Sequence, residues 1–223
     1  MNVSEAVASR FSARAFQDKP VPKELVQSII ERAKQAPSGG NLQPWHVHVM
    51  MGDALKRFLG TVADRMKANP MGDGGEYEIY PANLWEPYRT RRFRCGEMLY
   101  EAIQVPREDK PGRLRQFANN FRFFGAPVGM IFALDKGMGP PQWSDVGMYM
   151  QTVMLLAREE GLHTCAQESW SMMSKTIKEF TGLPENFIVF SGLAMGYLDE
   201  SAPINKWRTE RAPLQEFATI HET

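Results

Sequence analysis

Ala36-Pro37-Ser38-Gly39-Gly40-Asn41-Leu42-Gln43-Pro44-Trp45-His46 follows a stretch of helical periodicity and precedes a strand-like one, so it reads as a loop on a rigid base. Pro37 stops the helix before it. Gly39 and Gly40 allow a close approach of backbone to a ligand or a positive φ, and Ser38, Asn41 and Gln43 supply donors and acceptors. Read alone, the segment is equally a polar turn with Trp45 as a core anchor. The surrounding chain has to decide between the two.

Upstream, residues 2 to 9 predict a short helix, and behind Pro22 the residues Leu25, Val26, Ile29, Ile30 and Ala33 form one apolar stripe at helical spacing. Downstream, His46 to Met51 predicts a buried strand, and Asp53 a cap for a helix carrying Leu55, Phe58, Leu59, Val62 and Met66. Helical stretches run through Met98 to Ile103 and from Leu114 to Phe121. Val128 to Leu134 is continuously apolar, as a strand buried on both faces would be. Ser144 or Asp145 then opens the longest helix, which Gly161 ends. A short strand at His163 to Gln167, a helix from Ser171 stopped by Gly182 and Pro184, and a strand from Ile188 to Tyr197 follow. Four strands among about seven helices, without strict βαβ alternation, predict an α+β fold. With no repeat and no linker composition, residues 1–223 make one domain, ending in an extended basic arm over 198–223.

The segment from Asn69 to Arg89 breaks the periodicity with Pro70, Gly72, Gly74, Gly75, Pro81 and Pro87. It also carries Tyr77, Tyr80, Trp85 and Tyr88, which argues for a functional loop over disorder. Arg89, Arg91, Arg92 and Arg94 follow closely. Glu97, Glu101, Glu108 and Asp109 behind them favour a salt-bridged helical face over a nucleic-acid patch.

Composition narrows the function classes further. The 223 residues are 43% hydrophobic and 23% charged, with 26 basic and 26 acidic side chains, so no net charge draws the chain to nucleic acid or acidic membranes. Residues 1 to 5 have no basic or apolar leader character, and no apolar run approaches a bilayer span. Cys95 and Cys165 form no CxxC pair and suit a reducing, cytoplasmic setting. No GxGxxG follows a strand, and GxxxxGK[ST], HExxH and GxSxG are missing, which excludes a Rossmann cofactor site and the common hydrolase signatures. His46 and His48 share a strand face but find no assured third ligand, so no metal site is expected. The Met-rich stripe at Met150 and Met154 is core filler.

Three segments suited to anions remain: Arg10-Phe11-Ser12-Ala13-Arg14, the loop at 36–46, and Lys206-Trp207-Arg208-Thr209-Glu210-Arg211. Their order and content resemble the nitroreductase family of FMN-dependent oxidoreductases, in particular its nitroaromatic-reducing members. Arg10-Phe11-Ser12-Ala13-Arg14 resembles the family's R-x-S-x-R, and Pro37 to Trp45 its P-S-x-x-N-x-Q-P-W signature. Arg208-Thr209-Glu210-Arg211-Ala212-Pro213 resembles its C-terminal phosphate clamp.

The resemblance implies a mostly antiparallel sheet between helices in an intertwined homodimer, with FMN at the subunit interface. It implies that Arg10, Ser12 and Arg211, with Arg208, hold the phosphate, and that Arg14 lies near N1 and O2 of the flavin. Pro37, Ser38, Gly39 and Asn41 would come from the partner subunit. Gln167, Glu168 and Ser169 would face the ring, the main-chain N–H of Glu168 toward N5, with Ser169 standing where glycine or alanine is common. The expected activity is a ping-pong hydride transfer from NADH or NADPH to a small aromatic oxidant, a nitroaromatic compound or a quinone. Trp85, Tyr88 and Tyr100 would wall a substrate pocket within an insertion at about 69–122, and Arg89 or Arg91 would attract a carboxylated substrate. Dehalogenation, free-flavin reduction or flavin fragmentation on the same scaffold, and a non-catalytic nucleotide- or RNA-binding module, are the alternatives.

Overall fold

A computed structural model describes residues 1–222; Thr223, the last residue of the expected arm, lies outside the described residues. Among them, the chain forms seven α-helices and a four-stranded sheet. In chain order these are α1 Val3–Ser9, α2 Lys23–Ala33, β1 His46–Met51, α3 Gly52–Ala68, α4 Tyr88–Ala102 and α5 Lys110–Ala118, then β2 Val128–Asp135, α6 Pro140–Glu159, β3 His163–Gln167, α7 Ser174–Thr181 and β4 Phe187–Gly196. The strand order is β1-β2-β4-β3 and every pairing is antiparallel. An isolated parallel bridge, Ser12 to Thr164, lays the segment after α1 along the free edge of β3.

The unbroken apolar run of β2 exists because both faces of the sheet are covered. Val128, Met130, Phe132 and Leu134 join one core with α2 and α6, while Ile131 and Ala133 join the other with α3 and α7. The side-chain period of two therefore divides one strand between two cores. β4 divides likewise, with Leu193 and Met195 on the first face and Val189 and Ala194 on the second. No described helix is long and apolar enough to cross a membrane.

Several boundaries differ from expectation for local reasons. Met51 takes the cap position of α3 and Asp53 falls in its first turn, where a carboxylate favours the helix dipole without making a cap bond. α6 starts at Pro140, since Gly139 caps it and proline is tolerated where the first N–H groups lack partners anyway. The helix expected from Ser171 is split into a 3-10 turn, Glu168–Met172, and α7. The stretch to Phe121 is likewise divided between α5 and the 3-10 turn Asn119–Gly125.

The segment at 69–87 has little regular structure, yet it is stapled down. Asp73 caps α7, accepting from the Thr176 N–H at 2.6 Å and the Lys175 N–H at 3.2 Å. The Glu76 carboxylate takes Lys178 at 2.7 Å and Lys136 at 2.8 Å, and also accepts from Ser174 Oγ and the Val189 N–H. Burial opposes the charge on Glu76, but these ammonium and hydroxyl donors outweigh it and hold its pKa down at about 2.

The arginine run of α4 is salt-bridged, though not to the acids expected. Arg89 pairs with Glu86, Arg91 with Glu216 at 2.5 Å and Arg94 with Glu210 at 2.6 Å. Helical i,i+4 neighbours thus give way to the C-terminal arm, and Glu97 pairs with Arg113 of α5.

Candidate functional site

The two arginine motifs, far apart in sequence, meet in space. Arg10, Phe11, Ser12 and Arg14 line one small recess of about 60 Å³ together with Arg208 and Arg211. Backbone bonds bring them there: Ala13 N–H donates to Thr164 O of β3 at 3.0 Å, and Gln17 N–H to Tyr197 O at 2.9 Å. Arg208 lies over the Phe11 ring at 3.6 Å, and its Nη1 donates to Asn205 O at 2.7 Å. Among the described residues, none of Arg10, Arg14, Arg208 and Arg211 has a carboxylate partner, and the nearby Glu210 is taken by Arg94. Converging guanidinium groups with a serine hydroxyl and no counter-charge suit a phosphate. Beneath Phe11, edge-on at 5.2 Å, burial followed by the charges of Arg158 and Arg208 pushes His163 down to about 4, so it adds no titrating charge near neutral pH.

Asn205 is a positioning residue that the sequence did not reveal. It is buried, its Oδ1 accepts from the Arg14 N–H at 2.9 Å, and its Nδ2 donates to Ala15 O at 2.9 Å and Asp199 O at 2.8 Å. The amide therefore ties the N-terminal motif to the arm that carries Arg208. A lone Asn after Pro203-Ile204 carries no signal of this in the sequence.

Arg14 lines two further recesses as well as the first. One, at the end of β3, is bounded by Ala166, Gln167, Glu168, Ser169, Tyr80 and Trp143. The Gln167 amide is committed internally, donating to Asn120 O at 2.8 Å and accepting from Trp170 Nε1 at 3.3 Å, which leaves backbone to face the recess. Trp170 folds back over β4 because residue 192 is glycine: a Cβ there would stand 2.1 Å from the indole. This fold-back sets the 3-10 turn opened by Glu168, whose first N–H groups have no acceptor within the turn. Ser169 Oγ is buried with no hydrogen-bond partner, an orphan that a bound polar group would satisfy.

The other recess is a cleft of about 1220 Å³ between α4 and the Asn119–Gly125 turn. Trp85, Arg89 and Tyr100 line it, as do Tyr80, Arg92, Phe93 and Gly96. Tyr88 and Arg91 do not: Tyr88 packs edge-on against Trp85, and Arg91 turns to Glu216. Arg92 lies over the Tyr80 ring at 4.2 Å and has no carboxylate partner among the described residues, whereas Arg89 is paired with Glu86. Burial raises the pKa of Tyr80, and the Glu168 carboxylate adds to this. Phe124, at φ 53°, lines the opposite wall in left-handed backbone next to the buried Phe123 at 47°, with Arg14 over the Phe124 ring at 5.9 Å.

The loop at 36–46 sits apart from all three recesses, and none of Pro37, Ser38, Gly39 and Asn41 lines them. It is rigidly built nonetheless. Trp45 stacks on Tyr149 at 4.7 Å, Gly39 N–H donates to Asp145 at 3.3 Å, and Gln43 N–H donates to Ser38 Oγ at 3.0 Å. Gly40, Asn41 and Gln43 all take positive φ, from 51° to 57°. The anchor reading and the close-approach reading of this loop are therefore compatible. His46 and His48 belong to no metal-binding cluster among the described residues; His46 stands edge-on to Phe187 at 4.5 Å.

Comparison with known proteins identifies the family to which the chain is similar. Residues 7–197 match the sequence model of the nitroreductase family. The chain is 36% identical over 221 residues to nitrobenzene nitroreductase of Ectopseudomonas oleovorans, covering 99% of this chain and 97% of that one. It is 39% identical over 214 residues to 4-nitrobenzoate reductase of Pseudomonas putida, covering 95% and 92%. The crystal structure of the FMN and NADPH-dependent nitroreductase NfnB from Sphigopyxis sp. strain HMH superposes with a TM-score of 0.97 at 45% identity, over 100% of both chains.

Proposed function

This chain belongs to the nitroreductase family, and from that premise we propose that it reduces nitroaromatic compounds with NAD(P)H through an FMN seated where the three recesses meet at Arg14. The observation that carries the placement is the set of unpaired guanidinium groups around Ser12. Arg10, Ser12, Arg208 and Arg211 hold the flavin phosphate through charge-assisted hydrogen bonds. Arg14, at the junction, offsets negative charge on the pyrimidine edge. The Glu168 N–H would face N5, and Ser169 Oγ would gain the partner it lacks.

FMN, once bound, would supply the redox chemistry, a ping-pong hydride transfer between NAD(P)H and the oxidant. The protein's own part is to bind, orient and exclude water. Trp85, Arg89 and Tyr100 receive the aromatic oxidant in the cleft, with Arg92, in place of Arg91, as the unpaired cation; quinones are a second substrate class. Pro37, Ser38, Gly39 and Asn41 lie outside the recesses of their own chain, which supports a homodimer in which each loop completes the partner's flavin site. A cytoplasmic location suits the supply of reductant.

Anaerobic stopped-flow absorbance tests the reading. Mixing the yellow holoprotein with NADPH should bleach the flavin band, and subsequent nitrobenzene should restore it. A colourless protein, or a flavin band that NAD(P)H leaves unchanged, would contradict it.

A further inference from the structure

On α4 the residues Arg92, Gly96 and Tyr100, each four apart and therefore stacked on one helix face, all line the large cleft. The outer two carry large side chains and the middle one carries none. Gly96 lies well inside the helix, where glycine costs about 1 kcal/mol relative to alanine. Within one chain, the usual structural reasons for accepting that cost do not apply. Its backbone is not left-handed, and a Cβ built on it meets no atom within 4 Å, in contrast to Gly192 beneath Trp170. Gly60 and Gly147 share this freedom from contact, but neither lines the cleft.

What the missing side chain leaves is a notch in the cleft wall with helix backbone as its floor. Both flanks are held in place. Arg92 lies on the Tyr80 ring at 4.2 Å, and Tyr100 is covered by the Arg113 guanidinium at 4.3 Å while its hydroxyl donates to Arg113 O at 3.3 Å. A flat group entering the notch would lie on bare backbone with a guanidinium at one end and an aromatic ring at the other, about 12 Å apart along the helix, a setting that favours an extended aromatic group.

We propose that Gly96 determines specificity for size: the notch receives the part of an aromatic substrate remote from its nitro group, so two-ring nitroaromatics use it and single-ring ones do not. The proposal rests on the cleft being the substrate site of a nitroreductase. A methyl group at position 96 would fill the notch, and one carbon in a fitted apolar pocket changes discrimination about 10-fold or more.

The test is calorimetric binding of nitrobenzene and of 4-nitrobiphenyl to the oxidised, FMN-loaded protein without reductant, comparing wild type with Gly96→Ala and Gly96→Val. Nitrobenzene affinity should stay within about 2-fold, while 4-nitrobiphenyl affinity should fall about 10-fold in Gly96→Ala and further in Gly96→Val. The melting temperature of Gly96→Ala should hold or rise, since alanine favours the helix. Equal weakening of both probes, undiminished 4-nitrobiphenyl binding, or loss of FMN or of assembly in Gly96→Ala would overturn the proposal. If wild type binds neither probe, the substrate site itself has been misplaced and the proposal falls with it; selective failure in the variants alone cannot arise that way.

Discussion

At the scale of single residues, the site combines groups that sequence motifs expose with groups that only the fold brings in. Arg10, Ser12, Arg14, Arg208 and Arg211 were legible because they cluster in two short basic runs, and those runs line one recess. Asn205 was not, because its importance lies in three backbone contacts to Arg14, Ala15 and Asp199, two of them about 190 positions away. Asn205→Ala strands those partners, so stability should fall by about 1–3 kcal/mol. FMN affinity should fall about tenfold as the segment carrying Arg14 loses its side-chain tie to Asn205, equivalent to about 1.4 kcal/mol. Denaturant unfolding and flavin fluorescence titration read the two effects separately, and unchanged FMN affinity would remove Asn205 from the site. Tyr80 and Arg92 were hidden for a similar reason: their stacking depends on how the loop before α4 folds back.

At the scale of elements, strands proved more legible than helix ends. β1 and β3 were read with their observed limits, but β1, expected to be buried, is an edge strand in which only Met50 is buried, because a second strand covers just one of its sides. Helix starts at Pro140 and Lys110 were missed because their caps sit before the apolar stripe begins. The segment at 69–87 was the least legible element, as its order comes from Asp73 and Glu76 bonding to α7 and β4 in place of any periodicity. Glu76 makes this order dependent on pH. Its folded pKa, about 2, lies below the ordinary 4.5, so its contribution is full above about pH 4.5 and is lost as pH falls toward 2. The linkage amounts to at most about 3 kcal/mol. Glu76→Gln should therefore destabilise the protein at pH 7, leaving buried Lys178 without its closest carboxylate, and should flatten the loss of stability below pH 4.5. Urea unfolding at pH 7 and pH 3 checks this; parallel losses in wild type and variant would exclude Glu76 as the titrating group.

At the scale of the whole molecule, the α+β architecture followed from element count and order, whereas the assembly does not follow from one chain. α4 buries no residue and is held by ion pairs to the arm and to α5, interactions that contribute little at a solvated surface. No residue of the rigid loop at 36–46 lines the arginine recess. Both features fit a homodimer in which a second copy covers α4 and supplies the loop. The central claim, however, concerns what the recess holds, and equilibrium titration of the apoprotein with FMN and with riboflavin tests it most directly. Wild type should prefer FMN by about 100-fold or more, since charged hydrogen bonds to the phosphate contribute about 1.5–3 kcal/mol each. An Arg10→Ala, Arg211→Ala double variant should lose most of that preference while binding riboflavin as before. Equal affinity of wild type for the two flavins, or an undiminished FMN preference in the variant, would contradict the account.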